Sequence, residues 1–390
     1  MNPSILTDNA PGSHQFARAA GTDPAGAAQR TRIARVLQSI MAKTLRHAMP
    51  DHLPILHDHP LDSLNTFRIP ARARHYLRVT GAEQLAALRA DPELAGLPRL
   101  VLGGGSNMLF TRDVDGIVLH MAGQGREVLG ERDGRILVRA QAGENWHAFV
   151  RWTLAQGLGG LENLSLIPGT VGAAPIQNVG AYGTETRDVF HSLTAFDMAS
   201  GALRTLDAAA CRFAYRDSVF KHAEGRDLIV LDVTFALPAD WAPNLRYAEL
   251  AQAVAAAGLT SPTPQEVGRT VEAIRRRKLP DPQEIGNAGS FFKNPVVSRE
   301  HCARLLAEFP KLVHHAQADG SEKLAAGWLI DQCGWKGREQ GRAGVYPKQA
   351  LVLVNLGGAT GEDVVRLARA IQADVKARYG VELEPEPVFI

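Results

Sequence analysis

A stretch in the last third of the chain mixes the side-chain types that bind and react small molecules. Residues 286–295 read GNAGSFFKNP. The small residues leave the backbone accessible, and a hydroxyl, two aromatic rings, a cation and an amide follow them, which is a mixture typical of ligand pockets. Because glycine-rich turns that lead into strands have a similar composition, the stretch taken alone favours an ordinary turn.

Two glycine-rich tracts are candidates for holding a phosphate or a flat ligand. The first, GGGSN at residues 103–107, follows a predicted buried strand, so its backbone N–H groups can approach an anion. Its spacing matches neither the Walker motif nor the Rossmann fingerprint, and a tight turn is the simpler interpretation. The second, residues 167–183, is small, apolar and almost uncharged. A solvated linker would contain serine and charge instead, so this tract indicates backbone buried against a ligand.

Two groups of cations are candidates for binding anionic parts of a ligand. Arg216 lies beside Asp217. The two form either a surface ion pair of little energetic value or a guanidinium that presents a bidentate fork to a carboxylate. Residues 275–278, all basic, end a predicted helix, where cations complement the helix dipole. That explanation covers about two or three of the four, and the remainder are candidates for a pyrophosphate.

Composition excludes several classes of function. The chain has 390 residues, enough for two or three domains, and a formal net charge of +2, which gives no field that would attract nucleic acid or an anionic membrane. Its 3 cysteines are far apart, which fits a reducing cytoplasm. No CxxC or HExxH spacing occurs, so no metal site is predicted, and no long uncharged apolar run predicts a membrane span.

Hydrophobic periodicity and capping signals predict the elements that position these residues. Predicted strands cover residues 76–79, 97–102, 116–120, 136–142, 192–198, 227–237, 350–355 and 381–390, and predicted helices cover residues 82–88, 144–156, 263–278, 298–308, 324–330 and 360–380. In the last strand, a period of two puts Glu384 and Glu386 on one side, usually the solvent side. Residues 1–28 are expected to be disordered, residues 30–47 to form a basic helix, and a domain boundary is expected near Ser261.

In combination, these stretches resemble the UDP-N-acetylenolpyruvoylglucosamine reductase (MurB) family, the flavoenzymes of bacterial peptidoglycan precursor synthesis. The resemblance rests on residues 65–67, 103–109, 167–183, 215–218, 278–282, 286–295, 325–336 and 383–386. Only the amino-terminal extension lies outside it. Tyr247 and the segment before Gly327 are similar to the form of the family in which an extra loop and a tyrosine close over the substrate.

The resemblance implies an α+β fold. It has an FAD-binding module of the vanillyl-alcohol oxidase (PCMH) type in two α+β halves, residues 53–124 and 125–262. A C-terminal α+β substrate domain follows at residues 263–390, with the last strand packing on the flavin domain. Residues 1–52 lie outside the resemblance and are expected to be a disordered extension.

The resemblance also implies the cofactor and how the chain holds it. FAD would bind non-covalently, because no histidine or cysteine in the first tract is available to tether it, and NADPH would be the co-substrate. The first tract would meet the pyrophosphate, and the second the ribityl chain and isoalloxazine. The implied cofactor-binding residues are Gly103, Gly104, Gly105, Ser106, Asn107, Pro168, Gly169, Gly172, Ala173, Ile176, Gln177, Asn178, Gly180, Ala181, Tyr182 and Arg275.

The implied reaction reduces UDP-N-acetylglucosamine enolpyruvate to UDP-N-acetylmuramate. NADPH reduces FAD, hydride then passes to C3 of the enolpyruvyl ether, and C2 is protonated. Ser290 matches the proton donor, Arg216 the residue that holds the carboxylate, and Glu386 the acid that supports the enol. The residues that match substrate-binding positions are Tyr215, Tyr247, Lys278, Asn294 and Gln349.

Two alternative functions remain from the sequence. Another FAD-dependent oxidoreductase of the same fold would react with oxygen and would not depend on the UDP-sugar. A non-catalytic UDP-sugar binder would have no need of a proton donor such as Ser290. The protein is further expected to be a cytoplasmic monomer that binds neither nucleic acid nor membranes.

Overall fold

A computed structural model describes residues 53–390 of the chain. The predictions for residues 1–52 lie outside the described residues. The strands are β1 (Leu56–Pro60), β2 (Arg72–Val79), β3 (Arg99–Leu102), β4 (Met108–Leu109), β5 (Val114–Met121), β6 (Arg126–Arg132), β7 (Arg135–Gln141), β8 (Gly180–Ala181), β9 (Thr184–Glu185), β10 (Phe190–Asp197), β11 (Leu203–Asp207), β12 (Leu228–Pro238), β13 (Gly286–Ser290), β14 (Val296–Val297), β15 (His314–Ala316), β16 (Glu322–Leu324), β17 (Glu339–Gln340), β18 (Ala343–Val345), β19 (Val352–Asn355) and β20 (Val388–Phe389).

The α-helices are α1 (Ala82–Ala90), α2 (Trp146–Ala155), α3 (Ala208–Cys211), α4 (Ala248–Ala256), α5 (Pro264–Lys278), α6 (Arg299–Glu308), α7 (Ala326–Gln332) and α8 (Gly361–Tyr379). Helix α5 begins with the predicted capping box: the Thr263 hydroxyl accepts from the Glu266 backbone N–H, and the Glu266 carboxylate accepts from the Thr263 backbone N–H. Helix α8 ends at Gly380 in the left-handed conformation that glycine favours. Among residues 53–390, no helix has both the length and the apolar character that crossing a membrane requires.

The first sheet has the order β1-β2-β5-β3, and its central strand β5 is buried on both faces. Strands β2 and β3 both run parallel to β5. Val118 of β5 packs into a core shared with the C-terminal part of the chain, whereas its neighbours Ile117 and Leu119 pack into a second core shared with the second sheet. Successive side chains of a strand point to opposite faces, so an unbroken apolar run is what a sheet covered on both sides requires.

The second sheet, in the order β11-β10-β12-β7-β6, is antiparallel throughout. Helix α2 covers it with aromatic side chains. The rings of Trp146 and Phe149 lie 5.8 Å and 5.3 Å from the ring of Phe235 on β12, measured between centroids. Each such buried aromatic side chain stabilises the fold by about 1.5–3 kcal/mol. A smaller core joins α4 to α5 through Leu250, Val254, Val267, Val271 and Ile274.

The C-terminal part has two small sheets beside helix α8. Their orders are β13-β19-β18-β17 and β14-β16-β15. The stretch that resembled a turn, residues 286–295, opens with strand β13, which pairs antiparallel with β19. The predicted closing strand over residues 381–390 is wrong in its extent. Only Val388–Phe389 is a strand, and it pairs parallel with β4 next to the first glycine tract.

Candidate active site

A cleft of about 370 Å³ joins the two glycine tracts to strand β13 and the C-terminal segment. This volume is that of a small-molecule pocket. All three predicted catalytic residues, Ser290, Arg216 and Glu386, line it. The chain therefore gathers at one surface three residues that are 74 and 96 positions apart in sequence, from 216 to 290 and from 290 to 386.

The first glycine tract fits against the second so closely that side chains would not fit between them. A Cβ atom on Gly104 would lie 3.0 Å from the Cα of Gly169, which is backbone and has little room to move. Gly105 has φ +59°, and a Cβ atom there would lie 2.0 Å from the carbonyl oxygen of Leu64. Both positions therefore require glycine, one for close approach and the other for its conformation.

The loop around Thr66 fixes the first tract against strand β13. The Thr66 backbone N–H donates to the carbonyl of Gly105 at 3.2 Å, and the Thr66 carbonyl accepts from the backbone N–H of Asn287 at 3.0 Å. The side chain of Asn65 holds this loop by donating to the carbonyls of Leu61 and Ile69. The loop around Thr66 therefore positions both strand β13 and the first glycine tract, which is the candidate for binding phosphate.

Side chains of the first tract also tie it to the second tract and to the C-terminal segment. Ser106 donates its hydroxyl to the carbonyl of Pro168 at 3.2 Å. The Asn107 amide donates to the side chain of Gln177 at 2.6 Å and to the backbone carbonyl of Glu386 at 3.1 Å. Three separate parts of the chain are thus joined at one wall of the cleft.

The cleft has polar groups that a bound cofactor would satisfy. The hydroxyl of Thr170, a cleft residue, is buried and has no hydrogen-bond partner within residues 53–390. A buried polar group without a partner costs about 1–3 kcal/mol, so a ligand that pairs with it gains that much. Together with the glycine cradle, this hydroxyl fits a phosphate or polyhydroxyl chain such as the one FAD would place here.

Arg216 and Glu386 form a half-buried ion pair on the cleft wall. Nε of Arg216 donates to Oε1 of Glu386 at 2.9 Å, and only 20% and 12% of the two side chains are exposed. Burial raises the pKa of Glu386, and the charges of Arg216, Lys221 and Lys293 oppose that rise. The carboxyl group is thereby closer to accepting a proton than an exposed glutamate is.

Glu384, which the sequence placed on the same side as Glu386, points away from it. Its side chain is 70% exposed and pairs with Lys293. The backbone N–H of Glu386 donates to the carbonyl of Phe291 at 2.8 Å, and the backbone N–H of Lys293 donates to the carbonyl of Glu384 at 2.9 Å. These bonds hold Glu386, and not Glu384, beside the end of β13.

Hydrogen bonds join the turn that carries Arg216 to the second glycine tract. Arg216 has φ +56°, a left-handed conformation uncommon for residues other than glycine. Its Nη2 donates to the carbonyl of Gly180 at 3.0 Å, and the buried Ser218 hydroxyl donates to the carbonyl of Ile176 at 2.6 Å. The buried Asn178 amide donates to the carbonyl of Ala214 at 3.0 Å. Three bonds therefore set the guanidinium relative to the backbone that lines the cleft.

Ser290 ends strand β13 with an exposed side chain at the cleft. Gly289 before it has φ +69°, and no atom lies within 4 Å of the position that a Cβ would take there. The backbone N–H of Gly289 donates to the side chain of Asn287 at 2.9 Å. Gly289, which is small and has a positive φ, therefore turns the chain so that the Ser290 hydroxyl faces the cleft. No neighbouring residue in the described part of the chain covers this hydroxyl.

The predicted cofactor residues line the cleft with two exceptions. Asn178 is fully buried behind the wall, where it holds the Arg216 turn. Tyr182 lies outside the lining, next to Arg275, which does line it. Burial lowers the pKa of Arg275, and the Tyr182 hydroxyl opposes that change. The exceptions therefore contact residues of the wall.

The five predicted substrate-binding residues lie outside the lining of the cleft. Tyr247 is 44% exposed, and its ring packs edge-on against that of Tyr182, with 5.1 Å between centroids. Lys278 donates to the carboxylate of Glu249 at 2.6 Å. Tyr215 lies between two cations, with the guanidinium carbon of Arg216 5.4 Å and Nζ of Lys323 4.7 Å from its ring centroid.

The remaining two have contacts in the C-terminal part. The side-chain oxygen of Asn294 accepts from the backbone N–H of Ala326 at 3.0 Å, at the start of helix α7. Gln349 lies beside Gly327, whose Cβ position would be 3.3 Å from Oε1 of Gln349. Both side chains therefore border α7, away from the glycine cradle.

Several cleft residues carried no signal in the sequence. Phe220 lies in a short 3-10 helix (Val219–Lys221) after the Arg216 turn, and Arg226 follows a second one (Ala223–Gly225). Leu228 and Val230 begin β12. The alternation of Leu228 and Val230 along a strand puts both on the same face, but it does not distinguish a cleft from a core. Trp146 also reaches the cleft, from the start of α2.

The comparisons with known proteins agree with this arrangement. A family model described as an FAD binding domain matches residues 73–207, and one described as the UDP-N-acetylenolpyruvoylglucosamine reductase C-terminal domain matches residues 281–390. A UDP-N-acetylenolpyruvoylglucosamine reductase from Azoarcus sp. is 60% identical over 342 residues, which cover 87% of this chain and 98% of the relative. The chain belongs to the UDP-N-acetylenolpyruvoylglucosamine reductase family. One from Burkholderia orbicola is 58% identical over 341 residues, covering 87% of this chain and 97% of the relative.

A solved structure shares the fold of this family member. The crystal structure of UDP-N-acetylenolpyruvylglucosamine reductase (MurB) from Thermus caldophilus superposes with a TM-score of 0.59 at 24% identity, over 87% of this chain and 98% of that one. The predicted α+β fold with an FAD-binding module is confirmed. The substrate-closing loop with Tyr247 stays a prediction.

Proposed function

We propose that this chain uses NADPH and FAD to reduce UDP-N-acetylglucosamine enolpyruvate to UDP-N-acetylmuramate, a step in peptidoglycan precursor synthesis. The observation that carries the proposal is the cleft itself. Its walls are two mutually packed glycine tracts and the three groups that the reaction needs, the Ser290 hydroxyl, the Arg216 guanidinium and the Glu386 carboxyl. A protein that only binds UDP-sugars would not need these three reactive groups.

The chain's own groups would hold FAD without a covalent bond. Residues 103–107 would meet the pyrophosphate through backbone N–H groups, as glycine-rich turns do. The second tract, including Ala181 and Gly172, would lie along the ribityl chain and the isoalloxazine, and Arg275 would contact it from α5. When bound, FAD would take hydride from NADPH and supply it to C3 of the enolpyruvyl group.

Arg216 would bind the substrate carboxylate and stabilise the charge that develops at C2. No described residue accepts a hydrogen bond from its Nη1, while Nε and Nη2 hold Glu386 and the carbonyl of Gly180. The guanidinium is therefore oriented in advance and keeps donors for a carboxylate, which lowers the barrier for a reaction that builds negative charge beside it. Burial raises the pKa of Glu386, and in its protonated form this carboxyl group would donate a hydrogen bond to the enolate-like oxygen.

Ser290 would donate a proton to C2. A serine hydroxyl is a weak acid, so the step depends on a strongly basic carbon and on nearby positive charge. Its position on the cleft wall, directly after Gly289, allows the hydroxyl to approach the ligand from the β13 side. The proton that Ser290 loses would be replaced from solvent.

The five residues outside the cleft lining would bind the rest of the substrate. We assign the diphosphate and uridine to Tyr247, Lys278, Asn294 and Gln349, and a contact beside the carboxylate to Tyr215. Lys278 supplies a cation at the end of α5. Tyr247 precedes α4 with an exposed ring, which suits a loop that closes over a ligand.

Location and assembly complete the proposal. We place the enzyme in the cytoplasm as a monomer. All three cysteines are free thiols, which fits a reducing compartment.

An anaerobic flavin titration tests the proposal. Purified protein should be yellow, NADPH should bleach the flavin absorption, and the UDP-sugar should restore it with formation of one UDP-N-acetylmuramate per flavin. Restoration by oxygen but not by the UDP-sugar would favour a flavin oxidase instead. Protein that binds the UDP-sugar but no flavin would contradict the proposal outright.

A further inference from the structure

A thiol, an imidazole and a carboxylate meet at a place outside the lining of the cleft. Cys302 lies on α6, His314 on β15 and Glu322 on β16, and their ligand atoms all lie within 4.8 Å of one another. Nδ1 of His314 is 2.9 Å from Oε2 of Glu322. Because the three side chains come from three elements, their spacing in sequence gives none of the usual metal signatures.

The surroundings leave this cluster short of positive charge. Glu322 and Cys302 are only 9% and 2% exposed. Within residues 53–390, His314 is the only residue that forms an ion pair with Glu322. Lys323, the nearest cation in sequence, lies over the ring of Tyr215 instead. A buried carboxylate is costly unless it is paired or binds a metal.

The ligand types define which cations fit. Thiolate and imidazole select zinc and similar transition metals over magnesium and calcium, which take oxygen ligands. Tetrahedral zinc with Zn–S near 2.3 Å and Zn–N near 2.0 Å needs ligand atoms about 3.5 Å apart, so side-chain shifts of about 1 Å would complete the site. The half-exposed side chain of His314 gives an ion a route from solvent.

We propose that Cys302, His314 and Glu322 form a binding site for a zinc-class divalent cation, with one water as the fourth ligand. On binding, the thiol of Cys302 loses its proton to the buffer, and the resulting thiolate joins the imidazole and the carboxylate around the ion. The ion joins helix α6 to the hairpin formed by β15 and β16. That hairpin carries Lys323, so metal occupancy also steadies the cation that lies over Tyr215.

Titration of the full-length, flavin-loaded protein without an affinity tag tests the site. A Cys333→Ser background removes a half-exposed thiol that would bind metal by itself. In this background, Zn²⁺ should bind with 1:1 stoichiometry by calorimetry and raise the melting temperature. Co²⁺ should give the visible bands of a four-coordinate thiolate site, at wavelengths beyond the flavin absorption.

Variants of each ligand separate the site from adventitious binding. Cys302→Ser, His314→Gln and Glu322→Gln should each weaken Zn²⁺ binding by more than about tenfold, the lower end of what outer-shell changes already cost. Flavin absorption checks that each variant is folded. In unaltered protein, Zn²⁺ should slow alkylation of Cys302 while leaving that of Cys211, another buried thiol, unchanged.

Three outcomes would overturn the proposal. One is the lack of 1:1 Zn²⁺ binding in the Cys333→Ser background. Another is binding that persists unchanged in Cys302→Ser or His314→Gln. The third is equal alkylation of Cys302 with and without Zn²⁺. If Glu322→Gln alone binds as tightly as the parent, the assignment of three protein ligands is wrong.

Discussion

Replacing Gly104 with alanine should separate the two glycine tracts and weaken flavin binding. The added Cβ atom would lie 3.0 Å from the Cα of Gly169 and 3.3 Å from its carbonyl carbon. Carbon atoms in good contact lie about 3.5–4.0 Å apart, so one of the two backbones has to move by about half an ångström or more. Neither is the end of a flexible side chain, and such overpacking costs about 1–3 kcal/mol.

The expected effect on FAD follows from that cost. If half of this cost or more falls on the FAD-bound state, the dissociation constant for FAD should rise by about 2- to 140-fold, since every 1.4 kcal/mol is a factor of ten. Gly96→Ala is a matched control, because no atom lies within 4 Å of its Cβ position and its φ is not in the left-handed region.

The assay is the quenching of free FAD fluorescence when it binds to apoprotein, measured for both variants alongside denaturant unfolding of the apoproteins. Gly104→Ala should bind FAD more weakly than Gly96→Ala, and Gly96→Ala should match the parent. Equal FAD affinity in Gly104→Ala and the parent would refute the cradle that we assign to these tracts. A uniform loss of stability without a specific loss of FAD binding would make Gly104 a structural residue only.

Three further changes probe the catalytic wall and the fold. Ser218→Ala leaves the carbonyl of Ile176 without its donor and should lower the free energy of unfolding by about 1–3 kcal/mol in urea denaturation. An unchanged free energy would contradict the role of this hydrogen bond in holding the Arg216 turn. Arg216→Lys cannot hold Glu386 and a carboxylate with one planar fork, so stopped-flow should show reoxidation by the UDP-sugar slowed about 10- to 100-fold while reduction by NADPH continues. Burial lowers the pKa of His120 in the folded protein, so the unfolded state binds protons more readily. The stability present above about pH 6.5 should therefore fall as the pH drops below that value. His120→Gln should flatten this pH dependence of stability, and an equally steep dependence in the variant would contradict the prediction.

The sequence predicted elements whose signals are local. Helix α5 follows from Thr263, Pro264 and Glu266 alone, because a capping box needs only neighbouring residues. The glycine tracts were also visible, since close backbone approach requires glycine wherever it occurs. Both predictions can be made without knowledge of what packs against these residues.

Features that depend on distant partners were missed or incomplete. A period of two placed Glu384 and Glu386 together, but residues 381–387 are irregular, and backbone bonds to Phe291 and Lys293 turn the two carboxylates apart. The sequence also gave no indication of the cluster of Cys302, His314 and Glu322, which exists only when three elements pack.

The most direct test of the central claim is the half-reaction kinetics of Ser290→Ala. We expect flavin reduction by NADPH to proceed at the parent rate, because the Ser290 hydroxyl takes no part in it. Reoxidation by the UDP-sugar should slow by about 10²- to 10⁴-fold, the usual contribution of a positioned acid. Ser192→Ala serves as the control and should leave both rates unchanged, because within residues 53–390 the Ser192 hydroxyl has only the ring of its exposed neighbour His191 as a hydrogen-bond partner. Equal slowing of both half-reactions in Ser290→Ala, or no slowing of either, would contradict the assignment of Ser290 as the proton donor.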